Sequence, residues 1–92
     1  MRYVVSYDIG DDKRRRLVAK IMEGYGYRVQ YSVFECDLEK RQLLALKKAL
    51  RPLVKKQEMD SVRFYALPAD TLAMVEVFGN DMARSLGIIS VI

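Results

Sequence analysis

The chain has no histidine among its 92 residues and a single cysteine, Cys36. The first absence removes every Ser/His and Cys/His nucleophile pair from consideration. The second excludes an internal disulfide and fits a reducing compartment. No apolar stretch approaches the roughly 18–20 residues needed to cross a bilayer. The N-terminus lacks a signal peptide's succession of basic region, apolar region and small-residue cleavage site, so a cytoplasmic location is expected. There is no internal repeat, no low-complexity run and no Gly-rich phosphate loop. A chain this short supports one domain, covering residues 1–92. Such a domain buries roughly 60–65% of its unfolded surface and gains from association.

What is present is positive charge in two places. The formal charge is +4 and the pI about 9.3, with four cations in Lys13–Arg16 and seven between Lys40 and Lys56. Concentrated positive charge favours a polyanion by releasing counterions from its phosphates, although lysine-rich helix faces also serve solubility. Just ahead of the first cluster, MRYVVSYDIGDDKRRR places Asp8 at the exit of a hydrophobic strand. A carboxylate there, with cations beside it, suits a hard metal ion and a phosphate. Magnesium takes one or two protein carboxylates and keeps several waters, so a second Asp8 from a partner across a two-fold axis would complete the site. Without histidine, metal-assisted hydrolysis is the simplest phosphodiester chemistry open to this chain. The alternative is that Asp8 simply ends the strand, bonding to backbone N–H groups of the Gly10–Asp12 turn.

Periodicity gives the architecture. Arg2–Ile9 alternates as a strand. Asp11 and Asp12 open a helix whose stripe is Val18, Ile21, Met22 and Tyr25, and Gly24 and Gly26 end it. In Tyr27–Leu38 the apolar parity slips near Ser32–Phe34, which predicts two strands. Glu39–Lys56 reads as a helix with Leu43, Leu46, Leu50, Leu53 and Val54 on one stripe, bent or shortened at Pro52. Ser61–Leu67 is a strand with Val62, Phe64 and Ala66 on one face. The order βαββαβ is that of an α+β, ferredoxin-like domain. Residues 72–92 form a C-terminal extension, with Leu72–Phe78 a further strand and Ile88–Ile92 an apolar end. One or both are expected to extend a partner's sheet in a homodimer.

The motifs YDI at Tyr7–Ile9, DDKRRR at Asp11–Arg16, RVQYSVFEC at Arg28–Cys36 and RFYAL at Arg63–Leu67 together resemble CRISPR-associated protein 2. This family is the small subunit of the spacer-acquisition machinery of prokaryotic adaptive immunity. The resemblance implies a ferredoxin-like dimer with exchanged C-terminal strands, and puts the family's catalytic, metal-binding aspartate on Asp8. It implies a Mg²⁺-dependent endonuclease acting on single-stranded RNA and, in some members, on double-stranded DNA. It also implies a bridge between dimers of CRISPR-associated protein 1, the integrase, holding duplex prespacer DNA. Three alternatives stay open: a purely architectural binder, a toxin-like ribonuclease of related fold, and a ferredoxin-like regulatory or small-ligand domain.

Helical angle sorts the cations. Arg14 and Arg15 are assigned to a phosphate near Asp8, and Arg16 to a nucleic-acid backbone or solvent. For Arg14 the competing reading is an ion pair with Asp8, Asp11 or Asp37. Asp12 and Arg16 read as an i,i+4 surface pair. Lys40, Lys47, Lys48, Arg51 and Lys55 share a sector suited to a duplex backbone, with Lys47, Arg51 and Lys55 the foremost candidates. Arg28 joins the nucleic-acid-binding set, and Gln30 and Ser32 lie on its parity. Phe34, Tyr25, Tyr27 and Tyr31 are expected to pack, and Cys36 to be buried. Glu35 and Asp37 are either further metal carboxylates or strand-surface polars.

Overall fold

The computed structural model describes residues 1–80 and 90–91. Strand β1 (Arg2–Asp8) leads to helix α1 (Asp12–Glu23), then to β2 (Tyr27–Gln30), β3 (Val33–Asp37) and helix α2 (Lys40–Leu50). Strand β4 (Ser61–Leu67) completes the βαββαβ order, with the sheet arranged β2-β3-β1-β4 and β1 antiparallel to both its neighbours. Alternation along β1 turns Val5 and Tyr7 toward the helices, and Ile9 follows them into the core. There they meet Val18 and Met22 of α1, Phe34 and Cys36 of β3, and Leu46 and Leu50 of α2. Tyr7 and Phe34 stack with ring centroids 6.3 Å apart. Burial pushes the Cys36 thiol up to about 11, so it behaves as a small apolar side chain.

Several boundaries differ from the sequence reading for identifiable reasons. The β2–β3 pair turns at Tyr31–Ser32, where the Ser32 carbonyl accepts the Tyr7 N–H at 3.0 Å. Its register shifts earlier than the apolar pattern indicated, between Arg28 and Gln30. Arg28 therefore shares the helix-side face with its partner Phe34, whereas Gln30 pairs with Val33 on the opposite face. Helix α2 stops at Leu50, and Arg51–Leu53 forms a 3₁₀ turn containing Pro52. Proline lacks the N–H that would continue the α-helix, so the predicted extension to Lys56 is lost and Lys55 leaves the helical sector. The expected strand at Leu72–Phe78 is a helical turn, α3 (Ala69–Leu72), followed by the short strand β5 (Glu76–Val77). The Leu72 N–H closes that turn on the Pro68 carbonyl at 2.8 Å. β5 pairs in parallel with β6 (Ser90–Val91) rather than with the four-stranded sheet. The rest of the predicted C-terminal extension, 81–89 and 92, lies outside the described residues.

One polar knot holds the ends of these elements together. The side chain of Asp60, immediately before β4, has no solvent exposure. One of its oxygens accepts the Gly10 N–H at 3.1 Å, and the other accepts the Lys55 N–H at 2.9 Å. The same second oxygen takes the Arg14 guanidinium, which also donates to the Leu53 carbonyl at 3.0 Å and to Glu58 at 2.9 Å. The Lys55 amide first, then Arg14 and the Gly10 amide, hold the Asp60 carboxyl below the ordinary carboxylate range against the opposing effect of burial.

This packing sets two expectations for stability. A Cβ added at Gly26 would sit 2.3 Å from the Glu35 carbonyl and 2.5 Å from Cys36 Sγ, whereas one at Gly10 meets nothing within 4 Å. Thermal unfolding of Gly26→Ala should show a loss of about 1–3 kcal/mol or more, and Gly10→Ala a near-neutral change. Because the folded-state pKa of Asp60 is depressed, its contribution is complete above the unfolded carboxyl value of about 4 and is lost as pH falls through the folded value. Acid titration followed by circular dichroism should show Asp60→Asn already destabilised at pH 7. Below about pH 4 the variant should lose stability more shallowly than wild type.

Candidate functional site

Asp8 ends β1 opposite Ser61 of β4, and its side chain is exposed. Among the described residues its carboxylate has no hydrogen-bond or ion-pair partner. The Gly10 N–H that a strand-ending Asp8 would have accepted is taken by Asp60 instead. The other reading of this residue, as a local cap of the Gly10–Asp12 turn, is thereby corrected. Asp11 performs the capping role: its side chain accepts the Arg14 N–H at 2.9 Å at the start of α1. That bond foremost lowers the Asp11 carboxyl below its ordinary value. Alternation puts Asp8 on the face of the sheet away from the helices, with Ser6, Ser61 and Arg63. The Arg63 guanidinium donates to the Tyr65 hydroxyl at 3.2 Å on that same face.

The two other carboxylates considered for the site are elsewhere. Asp37 pairs in register with Arg2, at the far end of β1 and about 20 Å from Asp8 by strand rise. Its carboxylate lies 3.5 Å from the N-terminal ammonium. Glu35 is held at 3.2 Å by Arg2, both side chains nearly buried. Neither reaches Asp8 within one chain, and among the described residues no group of three His, Cys, Asp or Glu side chains is arranged to hold a metal. Of the three carboxylates considered for the site, Asp8 alone stands at this end of the sheet.

The basic residues divide into committed and available groups. Arg14 does not reach back toward Asp8, because Asp60, Glu58 and the Leu53 carbonyl hold its guanidinium. Of the ion pairs that sequence reasoning considered for it, the one with Asp11 is present at 3.9 Å, while its main partner is Asp60, 46 residues away and not among those considered. Arg15 pairs with Asp12 and donates to the Ile9 carbonyl at 3.1 Å. Asp12 therefore bonds Arg15 rather than the expected Arg16. Arg16 is exposed and has no ion-pair partner among the described residues. Arg28 lies over the Phe34 ring, 5.1 Å from its centroid.

Lys47 and Arg51 border an open groove of about 400 Å³ whose floor is Leu50, Val54, Val62 and Phe64. Lys47 Nζ sits 5.5 Å above the Phe64 ring. Lys55 projects from the segment beyond Pro52, 4.0 Å from Glu58. Arg16, Arg28, Lys47 and Arg51 thus keep their charge free of carboxylate partners among the described residues. Tyr27 and Tyr31, expected to pack, are exposed. Tyr31 stands 75% accessible because it forms the β2–β3 turn. Phe34 and Cys36 are fully buried as expected.

Sequence reasoning missed Asp60. An acidic residue just ahead of a strand was the only local sign, and its partner amide at Gly10 is 50 residues away.

Known proteins share both this sequence and this fold. The profile of the family described as CRISPR associated protein Cas2 matches residues 1–75. A Synechocystis protein named CRISPR-associated endoribonuclease Cas2 3 is 52% identical over 78 residues, spanning 85% of this chain and 84% of its own. The crystal structure of Streptococcus pyogenes Cas2 at pH 6.5 superposes with a TM-score of 0.73 at 37% identity, covering 86% of this chain and all of that one (100%). A chain of a partial Cas6-RT-Cas1–Cas2 complex matches with a TM-score of 0.68 at 30% identity, over 79% of this chain and 84% of that chain. On sequence and on fold alike, the chain belongs to the CRISPR-associated Cas2 family.

Proposed function

We propose that this protein works in CRISPR spacer acquisition as a homodimer that binds duplex DNA through its phosphates, bridges the Cas1 integrase, and hydrolyses phosphodiester bonds with Mg²⁺ held at Asp8. The observation that carries the reading is the exposed Asp8 carboxylate, free of protein partners among the described residues and followed by a helix whose first turns carry Lys13–Arg16. Family membership supports it, as do the endoribonuclease name of the Synechocystis relative and the Cas1–Cas2 complex in which a similar chain was solved.

The donor set fits magnesium, a hard cation that accepts one or two carboxylates and keeps waters and phosphate oxygens for its remaining positions. Asp8 from each of two subunits would supply the carboxylates. Bound there, the ion would contribute Lewis acidity toward a phosphoryl oxygen and a more acidic water. The chain's own part is to hold the ion, to neutralise the polyanion with Arg16, Arg28, Lys47, Arg51 and Lys55, and to orient the backbone beside the scissile bond. A dimer is supported by two features of the sheet. Strand β4 has a neighbour on one side only within the four-stranded sheet. The face away from the helices carries Val4, Val33, Leu67 and the half-exposed Tyr65. Both are surfaces that association would cover.

A second reading, an architectural binder without hydrolysis, is favoured by the lack, among the described residues, of any group of three His, Cys, Asp or Glu side chains arranged to hold a metal. Cleavage of labelled single-stranded RNA and duplex DNA, with Mg²⁺ or chelator, separates the two. Mg²⁺-dependent cutting abolished in Asp8→Ala is the outcome expected here. Duplex binding without cutting, unchanged in Asp8→Ala, would establish the architectural role. In gel shifts across a salt series, the triple variant Lys47→Glu, Arg51→Glu, Lys55→Glu should bind duplex more weakly. Its slope of log affinity against log salt should be shallower by about 0.9 for each phosphate no longer neutralised. Sizing with light scattering should give twice the chain mass at micromolar concentration, and a monomer would refute the shared site.

A further inference from the structure

The peptide group between Ile9 and Gly10 lies one residue beyond Asp8, and both of its polar ends are held by side chains. Its carbonyl oxygen, on Ile9, accepts Arg15 Nη1 at 3.1 Å, and its N–H, on Gly10, donates to Asp60 Oδ1 at 3.1 Å. A peptide is planar, so fixing its C=O and its N–H from opposite sides fixes the plane. The next rotatable bonds toward the N-terminus are those of Ile9, whose side chain is buried in the core, and then those of Asp8 itself. Asp60 is anchored by the Lys55 amide and the Arg14 guanidinium, and Arg15 pairs with the exposed Asp12. Packing of the Ile9 side chain holds one side of the peptide in the core, and the two hydrogen bonds set its orientation toward Gly10, which brings no side chain.

Resting on the proposed role of Asp8 as a metal ligand, we infer that Asp60 and Arg15 are positioning residues for Asp8. They clamp the Ile9–Gly10 peptide from both ends and so fix the backbone from which the Asp8 side chain projects toward a divalent cation. In this reading Arg15, selected from sequence for a phosphate, contributes through the backbone. Partners that orient a metal ligand are worth about 10–100-fold in metal affinity, and a backbone held in place before the cation arrives need not be ordered on binding.

The test uses the full chain and reads the clamp and its consequence separately. Amide hydrogen exchange by NMR without metal reports the Gly10 N–H. A Mg²⁺ titration followed at the Asp8 amide reports cation binding without depending on turnover. Asp60→Asn is expected to speed Gly10 exchange at least about tenfold and to raise the Mg²⁺ midpoint about 10-fold or more. Arg15→Gln is expected to raise the midpoint in the same direction. Leu46→Ala, a core truncation on α2, serves as a control for general destabilisation and should leave the midpoint within about twofold at a temperature where all variants are folded. Faster Gly10 exchange with an unchanged midpoint would overturn the inference, as would an equal rise in Leu46→Ala. A wild type with no Mg²⁺ response at Asp8, like an Asp8→Asn variant that titrates normally, would instead overturn the metal reading itself, and the positioning role with it.

Discussion

A carboxylate whose side chain is closed to solvent must be matched by donors, and Asp60 obtains them from three separate segments. The turn after β1 contributes the Gly10 amide, α1 contributes Arg14, and the stretch after α2 contributes the Lys55 amide. Each partner is at the end of an element, where backbone groups lack a regular neighbour. The knot therefore works where the hydrophobic core does not. Val5, Phe34, Met22 and Leu46 set how helices lie on the sheet. Asp60 sets how the chain turns off the sheet beside Asp8.

The same constraint sorts the positive charge. Arg2, Arg14 and Arg15 are tied to carboxylates within the chain, and their guanidinium groups serve the fold first. Arg16, Arg51 and Lys47 stand at the surface, and Arg28 and Lys47 lie above aromatic rings that leave their charge outward. Planar guanidinium groups suit the buried, multidentate positions, because several fixed donors satisfy several acceptors at once. Along DDKRRR, neighbouring arginines thus have different tasks, set by which side of α1 each occupies.

In the four-stranded sheet of this Cas2 family member both β2 and β4 are edge strands, and among the described residues α1 and α2 pack on one face only. Asp8 lies on the other face, at the end of the central strand that pairs with both β3 and β4. A carboxylate so placed faces whatever covers the sheet, which ties the proposed chemistry to association. The groove under Lys47 and Arg51 lies on the helix side. The proposed cation site and the basic rim are consequently separate surfaces of one chain.

The βαββαβ order, the faces of β1 and β4, the burial of Phe34 and Cys36, and the exit position of Asp8 were all readable from the sequence. They depend on periods of two and 3.6 residues, which neighbouring side chains display directly. The parity slip likewise disclosed two strands in Tyr27–Leu38, although the register break falls between Arg28 and Gln30. The helix beyond Leu50 was over-extended because the apolar stripe continues through Leu53 and Val54, while Pro52 ends the α-helical hydrogen bonding. Tertiary structure alone decided the fate of the charges. On sequence grounds Arg14 was considered for Asp8, Asp11 or Asp37; it keeps Asp11 at 3.9 Å but takes principally Asp60, 46 residues away. That same distant residue claims the Gly10 amide, and among the described residues Asp8 has no partner. Local pattern reports which face a side chain occupies. Which of several compatible partners a charge meets depends on loops closing over long separations, and no short-range period encodes that.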